Sequence, residues 1–298
     1  MNMAEAQPSI GSRFSLARRI LESHYNQPAT ALWRVFEVEV VLARLRGSGR
    51  GLDLGCGDGE LAEVMLSKMG VRWTGLDIDP DDAKLARARG VYESVHVAPA
   101  WNIPEPDASF DLVFSNSVLE HVDNLDDVLA EVARVLKPGG RLVFTVPLRE
   151  FDDLLLWRRA LARVRLREMA QRYAAAIDKR LVHRNLLSEE AWRERLAALG
   201  METIEAVPYL SSSAIAVWET MSNATGGLLS LLTGRHPREV QRRAGLLNGR
   251  KPGAAAVASV LMLPALLVAS AGASGPNGAL YLEARLAPAA EGGSGATL

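Results

Sequence analysis

The chain has a single cysteine, Cys56, among 298 residues. That excludes a disulfide framework and any zinc site built on several thiolates. It has almost no excess charge: 34 Lys and Arg stand against 35 Asp and Glu, a formal net charge of -1. Such a balance offers no global field to a nucleic acid, and no nucleic-acid partner is expected. The first residues, Met1 to Ile10, hold no apolar core. No signal peptide is therefore expected, and a cytoplasmic protein fits. Nothing has the spacing of a metal site, so no metal is expected. A further absence is local: between Lys251 and Glu283 there is no charged residue.

What is present is a glycine pattern. Gly51-Leu52-Asp53-Leu54-Gly55-Cys56-Gly57-Asp58-Gly59 reads as a short buried strand that breaks into a glycine loop, with a helix opening at Glu60. Gly75-Leu76-Asp77-Ile78-Asp79 reads as a second strand ending in a carboxylate. Glycines let a backbone approach a ligand closely. A carboxylate at the end of the next strand can accept hydrogen bonds from two ribose hydroxyls. The pair predicts a nucleoside-binding α/β domain; an ordinary β-to-α turn is the plain structural alternative. Dinucleotide sites use G-x-G-x-x-G, but the position of the third glycine is Glu60. Asp53, Asp58 and Glu60 together disfavour a pyrophosphate and tolerate a cationic ligand.

Later segments extend the pattern. Ser109 to Asn116 reads as another buried strand, and Leu119-Glu120-His121-Val122 follows it. Leu125 to Leu136 is an amphipathic helix with Leu125, Val128, Leu129 and Val132 on one face. Lys137-Pro138-Gly139-Gly140 stops it, and Arg141 to Pro147 is the next strand. In this order, the motifs at 51–59, 75–79, 109–122 and 136–147 resemble those of the class I S-adenosylmethionine-dependent methyltransferases, in their small-molecule (methyltransferase type 11-like) branch. The resemblance covers Arg50 to Pro147 well and Asn185 to Val207 more loosely.

The resemblance implies a Rossmann-like, mainly parallel seven-stranded sheet with helices on both faces, carrying helical and apolar insertions. It implies S-adenosyl-L-methionine as cofactor. Asp53, Gly55 and Gly57 would contact its methionine part, with Cys56 a small residue packed beneath it. Asp77 would hold the ribose and Ile78 would lie against the adenine. Many relatives place an acid after the third strand; here the stretch is Ala98 to Pro104, and Trp101 or Asn102 would substitute by stacking or hydrogen bonding. Ser115 and Asn116 would face the methyl donor. A base near an acceptor hydroxyl is best supplied by histidine. His183 and His121 are the candidates, with His24 beside Tyr25 third and His96 structural.

The remaining stretches define the organisation. Residues 1–47 read as a helical flap, with helices near Ser15 to Leu21 and Ala31 to Leu45, and 48–147 as the cofactor-binding core. Residues 148–184 form an arginine-rich helical insertion: a lid, a basic helix at a membrane surface, or a plain solvated insertion. Residues 185–207 return to the core, with a helix from Ser188 to Leu199 and a strand from Met201 to Val207. Residues 208–278 are an insertion, 279–287 the last, antiparallel strand and 288–298 a flexible tail. Within the insertion, Ala254 to Ala273 is nearly all apolar, close to the ~20 residues that span a bilayer. Pro264 lies at its centre and would kink or split a helix. The flanking strands belong to one sheet, so one crossing could not return the chain. A shallow dip into a bilayer, or a helix pair packed on the protein, is expected, with Arg242, Arg243, Arg250 and Lys251 suited to anionic lipid.

The sequence thus reads as a methyltransferase acting on a small or lipid-linked acceptor, at oxygen. A nicotinamide-dependent oxidoreductase and an inactive, membrane-associated cofactor-binding scaffold are the competing readings.

Overall fold

A computed structural model of the chain describes residues 9–24, 27–227, 252–271 and 275–288. Two helices come first, α1 (Ile10–His24) and α2 (Pro28–Arg44). Strands and helices then alternate: β1 (Gly49–Leu54), α3 (Glu60–Met65), β2 (Val71–Asp77), α4 (Pro80–Ala88), β3 (Tyr92–Val97), β4 (Phe110–Asn116), α5 (Leu125–Val135) and β5 (Leu136–Pro147). Three helices fill the arginine-rich stretch, α6 (Glu150–Leu154), α7 (Leu156–Arg163) and α8 (Arg167–Leu181). After α9 (Glu189–Ala198) and β6 (Met201–Ser211) come α10 (Ser212–Ser222), a π-helical turn (Asn223–Gly227), α11 (Pro252–Ser270) and β7 (Asn277–Leu286). Tyr25, the basic residues 242, 243, 250 and 251, and the tail from 289 onward lie outside the described residues.

The seven strands form one sheet in the order β3-β2-β1-β4-β5-β7-β6. The pairs β3/β2, β2/β1, β1/β4 and β4/β5 are parallel. Helices cover both sides, giving the Rossmann-like arrangement. Leu52, Leu54, Val113, Phe114, Leu142 and Phe144 are buried; strands covered on both faces carry such near-continuous apolar runs. From β1 the chain builds outward to β2 and β3, then jumps back to β4 and builds the other way. Ligands of open α/β sheets bind beyond the strand ends where the order reverses, which here means the C-terminal ends of β1 and β4.

The chain divides into two compact units. One comprises 45–146, 187–207 and 281–298, and the other 1–44, 147–186 and 208–280. In the sheet-rich unit, Trp192 of α9 is fully buried with its ring 4.9 Å from that of Phe144. Ser188 caps α9 by accepting from the Ala191 N–H at 3.3 Å. In the helical unit, Trp33, Phe151 and Trp218 meet edge to face, with centroids 5.5–5.6 Å apart. That geometry suits the ring quadrupoles and ties α2, α6 and α10 together.

Some predicted boundaries shift. The helix expected to reach Met69 ends at Met65, where Ser67 Oγ donates to the Glu63 carbonyl at 2.7 Å as the chain turns. Lys137-Pro138-Gly139-Gly140 is not a separate loop before β5. The register jumps from Phe110↔Leu136 to Leu112↔Arg141, so these residues bulge out of a strand that has already begun. Lys137 Nζ then reaches back to Asp111 at 2.8 Å. β6 runs on to Ser211 rather than Val207.

The apolar stretch also departs from expectation. α11 runs unbroken over 19 residues with Pro264 inside it. It packs on α1 and α10 and touches α2. Met262 and Leu266, on either side of the proline, are both buried, and this seating holds the two halves in line despite the lost hydrogen bond. The opposite face is exposed, including Val257, Leu261 and Val268.

Trp192→Ala is expected to cost about 3–5 kcal/mol, the range for truncating a buried aromatic to alanine. Urea unfolding followed by circular dichroism measures it.

Candidate active site

The site grows from the junction of β1 and β2. The N–H groups of Gly55 and Cys56 both donate to the Leu76 carbonyl, at 2.8 and 3.0 Å. The Gly57 N–H donates to Asp77 Oδ2 at 2.7 Å, and the Asp79 N–H to Asp77 Oδ1 at 2.9 Å. The glycine loop is thereby strapped to the end of β2, and the Asp77 carboxylate is held in one orientation. Each carboxylate oxygen retains acceptor capacity for a ribose hydroxyl.

Two glycines are needed for shape. Gly55 has φ +78°, and a Cβ there would lie 2.4 Å from the Val118 side chain. Gly57 has φ +53°, and a Cβ there would meet nothing within 4 Å. The first is required by packing. The second fronts open space, where a ligand can approach the backbone. Ile78 is 63% and Trp101 42% exposed. Ile78 follows the end of β2, and Trp101 lies in the turn after β3. The Ala98 N–H donates to the Asp77 carbonyl at 3.0 Å, so that turn begins against the end of β2. The Asn102 N–H donates to the Pro99 carbonyl at 3.0 Å. Two exposed apolar side chains, an oriented carboxylate and an open glycine are features an adenosine fits.

Asp53 lies deeper. It is 4% exposed, and its Oδ2 accepts from the Tyr92 hydroxyl at 2.6 Å. Burial pushes its carboxyl up to about 7; the Tyr92 hydrogen bond opposes this and the Asp77 charge adds to it. Burial, with the charges of Asp53 and Asp77, pushes the Cys56 thiol upward too. Its Sγ donates to the Gly57 carbonyl at 3.7 Å. A neutral thiol is a poor nucleophile, so Cys56 acts by packing.

The acids of the loop behave differently from one another. Arg89 reaches Glu63 at 3.1 Å and Glu60 at 3.5 Å, and its Nε donates to the Asp58 carbonyl at 2.7 Å. Glu60 and Glu63 thus share one guanidinium. The Asp58 carboxylate is not engaged by this arginine and accepts from the Glu60 N–H at 3.1 Å.

Ser115 and Asn116 end β4. Ser115 is fully buried, and its hydroxyl donates to the Leu54 carbonyl at 3.2 Å, pinning β4 to β1. Asn116 Oδ1 accepts from Thr145 Oγ1 at 3.0 Å. His121 follows in a turn closed by its N–H to the Val118 carbonyl at 2.9 Å. Its side chain is 40% exposed, with Nε2 3.6 Å from the buried Glu120.

In the helical unit, His183 is nearly buried, and its Nδ1 lies 2.9 Å from Asp178 Oδ1. The Phe151 ring stands edge-on at 5.8 Å. Val182 adopts φ 60° at the end of α8, a strained conformation for a β-branched residue. It lets the N–H groups of Val182 and His183 both donate to the Asp178 carbonyl. Asp152 of α6 is pushed up to about 7 by burial and by the neighbouring Asp178. A histidine held through Nδ1 by a carboxylate has its tautomer fixed.

Tyr92, Arg89, Asp152 and Asp178 were not legible as site residues. Tyr92 and Arg89 act across contacts between elements far apart in sequence, whereas Asp178 lies only five residues before His183.

Residues 52–144 match the family model described as methyltransferase domain. Over that stretch the chain carries a methyltransferase domain. S-adenosyl-L-methionine is the cofactor of that domain, and the missing third glycine at position 60 agrees with it over a dinucleotide. The chain is 39% identical over 142 residues to a ubiquinone biosynthesis O-methyltransferase of Xanthomonas oryzae, a match spanning 46% of this chain and 59% of the relative. It is 27% identical over 237 residues to a malonyl-acyl-carrier-protein O-methyltransferase of Pseudescherichia vulneris, spanning 78% and 85%. Its fold matches geranyl diphosphate C-methyltransferase from Streptomyces coelicolor A3(2), solved with S-adenosyl-L-homocysteine, at TM-score 0.52 and 17% identity, covering 88% and 81% of the two chains. The chain spans 38–59% of the length of the first curated relatives it matches.

Asp77→Ala removes two ribose acceptors and is expected to weaken S-adenosylmethionine binding by about a hundredfold, the loss of roughly 3 kcal/mol of charge-assisted hydrogen bonding. Isothermal titration calorimetry reads it. A second expectation concerns pH. The Asp53 carboxyl is raised from an ordinary 3.8 to about 7 on folding. The unfolded chain therefore ionises first as pH rises. Stability contributed below about pH 4 is lost progressively up to about pH 7, by roughly 2–4 kcal/mol. Asp53→Asn should flatten that slope in urea unfolding of ligand-free protein.

Proposed function

We propose that the chain transfers a methyl group from S-adenosylmethionine to a hydroxyl of a small or lipid-linked acceptor, as a cytoplasmic enzyme at the inner face of a membrane. The methyltransferase domain at 52–144 carries the reading, and two relatives described as O-methyltransferases support oxygen as the acceptor atom. The uncharged α11, with its exposed face, supports an amphipathic acceptor such as a prenylated ring, a glycolipid or a polyketide-like product, and a peripheral contact of 254–273 with lipid.

The bound cofactor supplies an electrophilic methyl on a sulfonium. The protein's own part is orientation and proton handling. Asp77 holds the ribose. Gly55, Cys56 and Gly57 form the floor beneath the methionine part, and ionised Asp53 balances its cationic charge. Ile78 and Trp101 flank the adenine, with Asn102 beside them as a hydrogen-bonding side chain. Ser115 and Asn116 shape the methyl-donor side at the end of β4. His183 is the preferred base, because Asp178 holds its Nδ1 and so fixes the ring and its tautomer. His121, more exposed and with Nε2 3.6 Å from Glu120, is the second candidate.

The test is methyl transfer from labelled cofactor to a panel of prenylated phenols, glycolipids and hydroxylated aromatic polyketides. His183→Ala should lower kcat by about a hundred- to ten-thousand-fold with cofactor affinity unchanged, and His121→Ala much less. The reverse ranking moves the base to His121. Tight cofactor binding with no product from any hydroxyl acceptor sinks the reading in favour of a non-catalytic scaffold. Deleting 254–273 is the wrong probe for the lipid part, since α11 also supplies core contacts from Ala255, Met262 and Leu266.

A further inference from the structure

α7 and α8 pack against one another and are joined by Val164-Arg165-Leu166. Every residue from Ala162 to Met169 is exposed. Val164, Leu166 and Met169 are 66%, 45% and 53% exposed, and Trp157 on α7 is 53% exposed. Arg163, Arg165 and Arg167 alternate with these apolar side chains. Arg165 sits at φ 63°, which turns the chain sharply and keeps the stretch at a tip. Two nearby arginines are engaged, Arg158 by Asp153 and Arg172 by Glu168. Among the described residues, Arg163, Arg165 and Arg167 have no such acid.

This surface combines two features that rarely coincide on a merely solvated turn. Unpaired guanidinium groups call for anionic, multidentate oxygen acceptors such as phosphates. Large apolar side chains between them call for removal from water. An acidic protein satisfies the first demand but leaves four exposed apolar side chains without a purpose. A bilayer with anionic headgroups meets both: the guanidiniums lie at phosphate level and the apolar side chains reach the acyl boundary.

We infer that the α7–α8 tip, residues 156–169, is a docking surface for anionic phospholipid bilayers. The contact read for 254–273 rests on apolar surface alone. The tip is a separate element that stands on charge and alternation, and it makes attachment dependent on lipid charge and salt. It does not depend on which acceptor is methylated.

The test is co-sedimentation of the full chain with vesicles of phosphatidylglycerol in phosphatidylcholine, against phosphatidylcholine alone, at low and high salt. The wild type should partition to the anionic vesicles and lose them at high salt, as the Debye length shrinks. The triple variant Arg163→Gln, Arg165→Gln, Arg167→Gln should bind them about a hundredfold more weakly, since each basic residue strengthens attachment several-fold. Val164→Ser, Leu166→Ser, Met169→Ser should also lose binding, with the salt dependence of the residue kept. Equal partition to both vesicle types, or retention by the glutamine variant, overturns the inference. So does loss of binding by Leu261→Glu with Leu267→Glu on α11 while the arginine variant still binds. Arginine-dependent binding of polyglutamate without vesicle binding would assign the surface to an acidic protein instead. Cofactor affinity measured on the same samples checks that the variants fold, and its failure in the wild type would count against the methyltransferase reading alone.

Discussion

Hydrogen bonds between the glycine loop and the end of β2 set the geometry of the candidate site. Gly55 and Cys56 bind the Leu76 carbonyl, and Gly57 binds the Asp77 carboxylate. These contacts join two strands that are 20 residues apart in sequence but adjacent in the sheet. Without them the loop would be free to swing and Asp77 to rotate. With them, an open backbone and an oriented carboxylate lie side by side at the C-terminal ends of β1 and β2. Parallel strands make this arrangement available because their C-terminal ends lie side by side.

Charge in the site is arranged by depth. The outer acids, Glu60 and Glu63, are matched by Arg89. The inner acid, Asp53, is buried and held by Tyr92, where burial favours its neutral form. A cationic ligand entering beside it would favour ionisation instead. In the ligand-free chain this burial carries a cost in stability at neutral pH.

Much of this was legible because it is local. A glycine loop after a buried strand and a carboxylate ending the next strand each leave a signature within ten residues. Ser188 as the cap of α9 and Pro80 at the start of α4 are of the same kind. What misled was context. Pro264 is a helix breaker in isolation, yet α11 continues because Met262 and Leu266 are seated on neighbouring helices. Lys137 to Gly140 looks like a plain loop, yet β5 has already paired with Phe110 before it. In both places tertiary contacts outweighed a local preference of a few kcal/mol.

The sequence by itself determined the sheet-forming strands, the cofactor motif and the uncharged segment, since each rests on spacing and composition along a few consecutive residues. Only the tertiary structure decided that Tyr92 serves Asp53, that Arg89 pairs with Glu60 and Glu63, and that residues 1–44, 147–186 and 208–280 gather into one unit. Those outcomes depend on which side chains meet across strands and helices. Such meetings are fixed by the packing of the whole chain, not by the order of its residues in any one stretch.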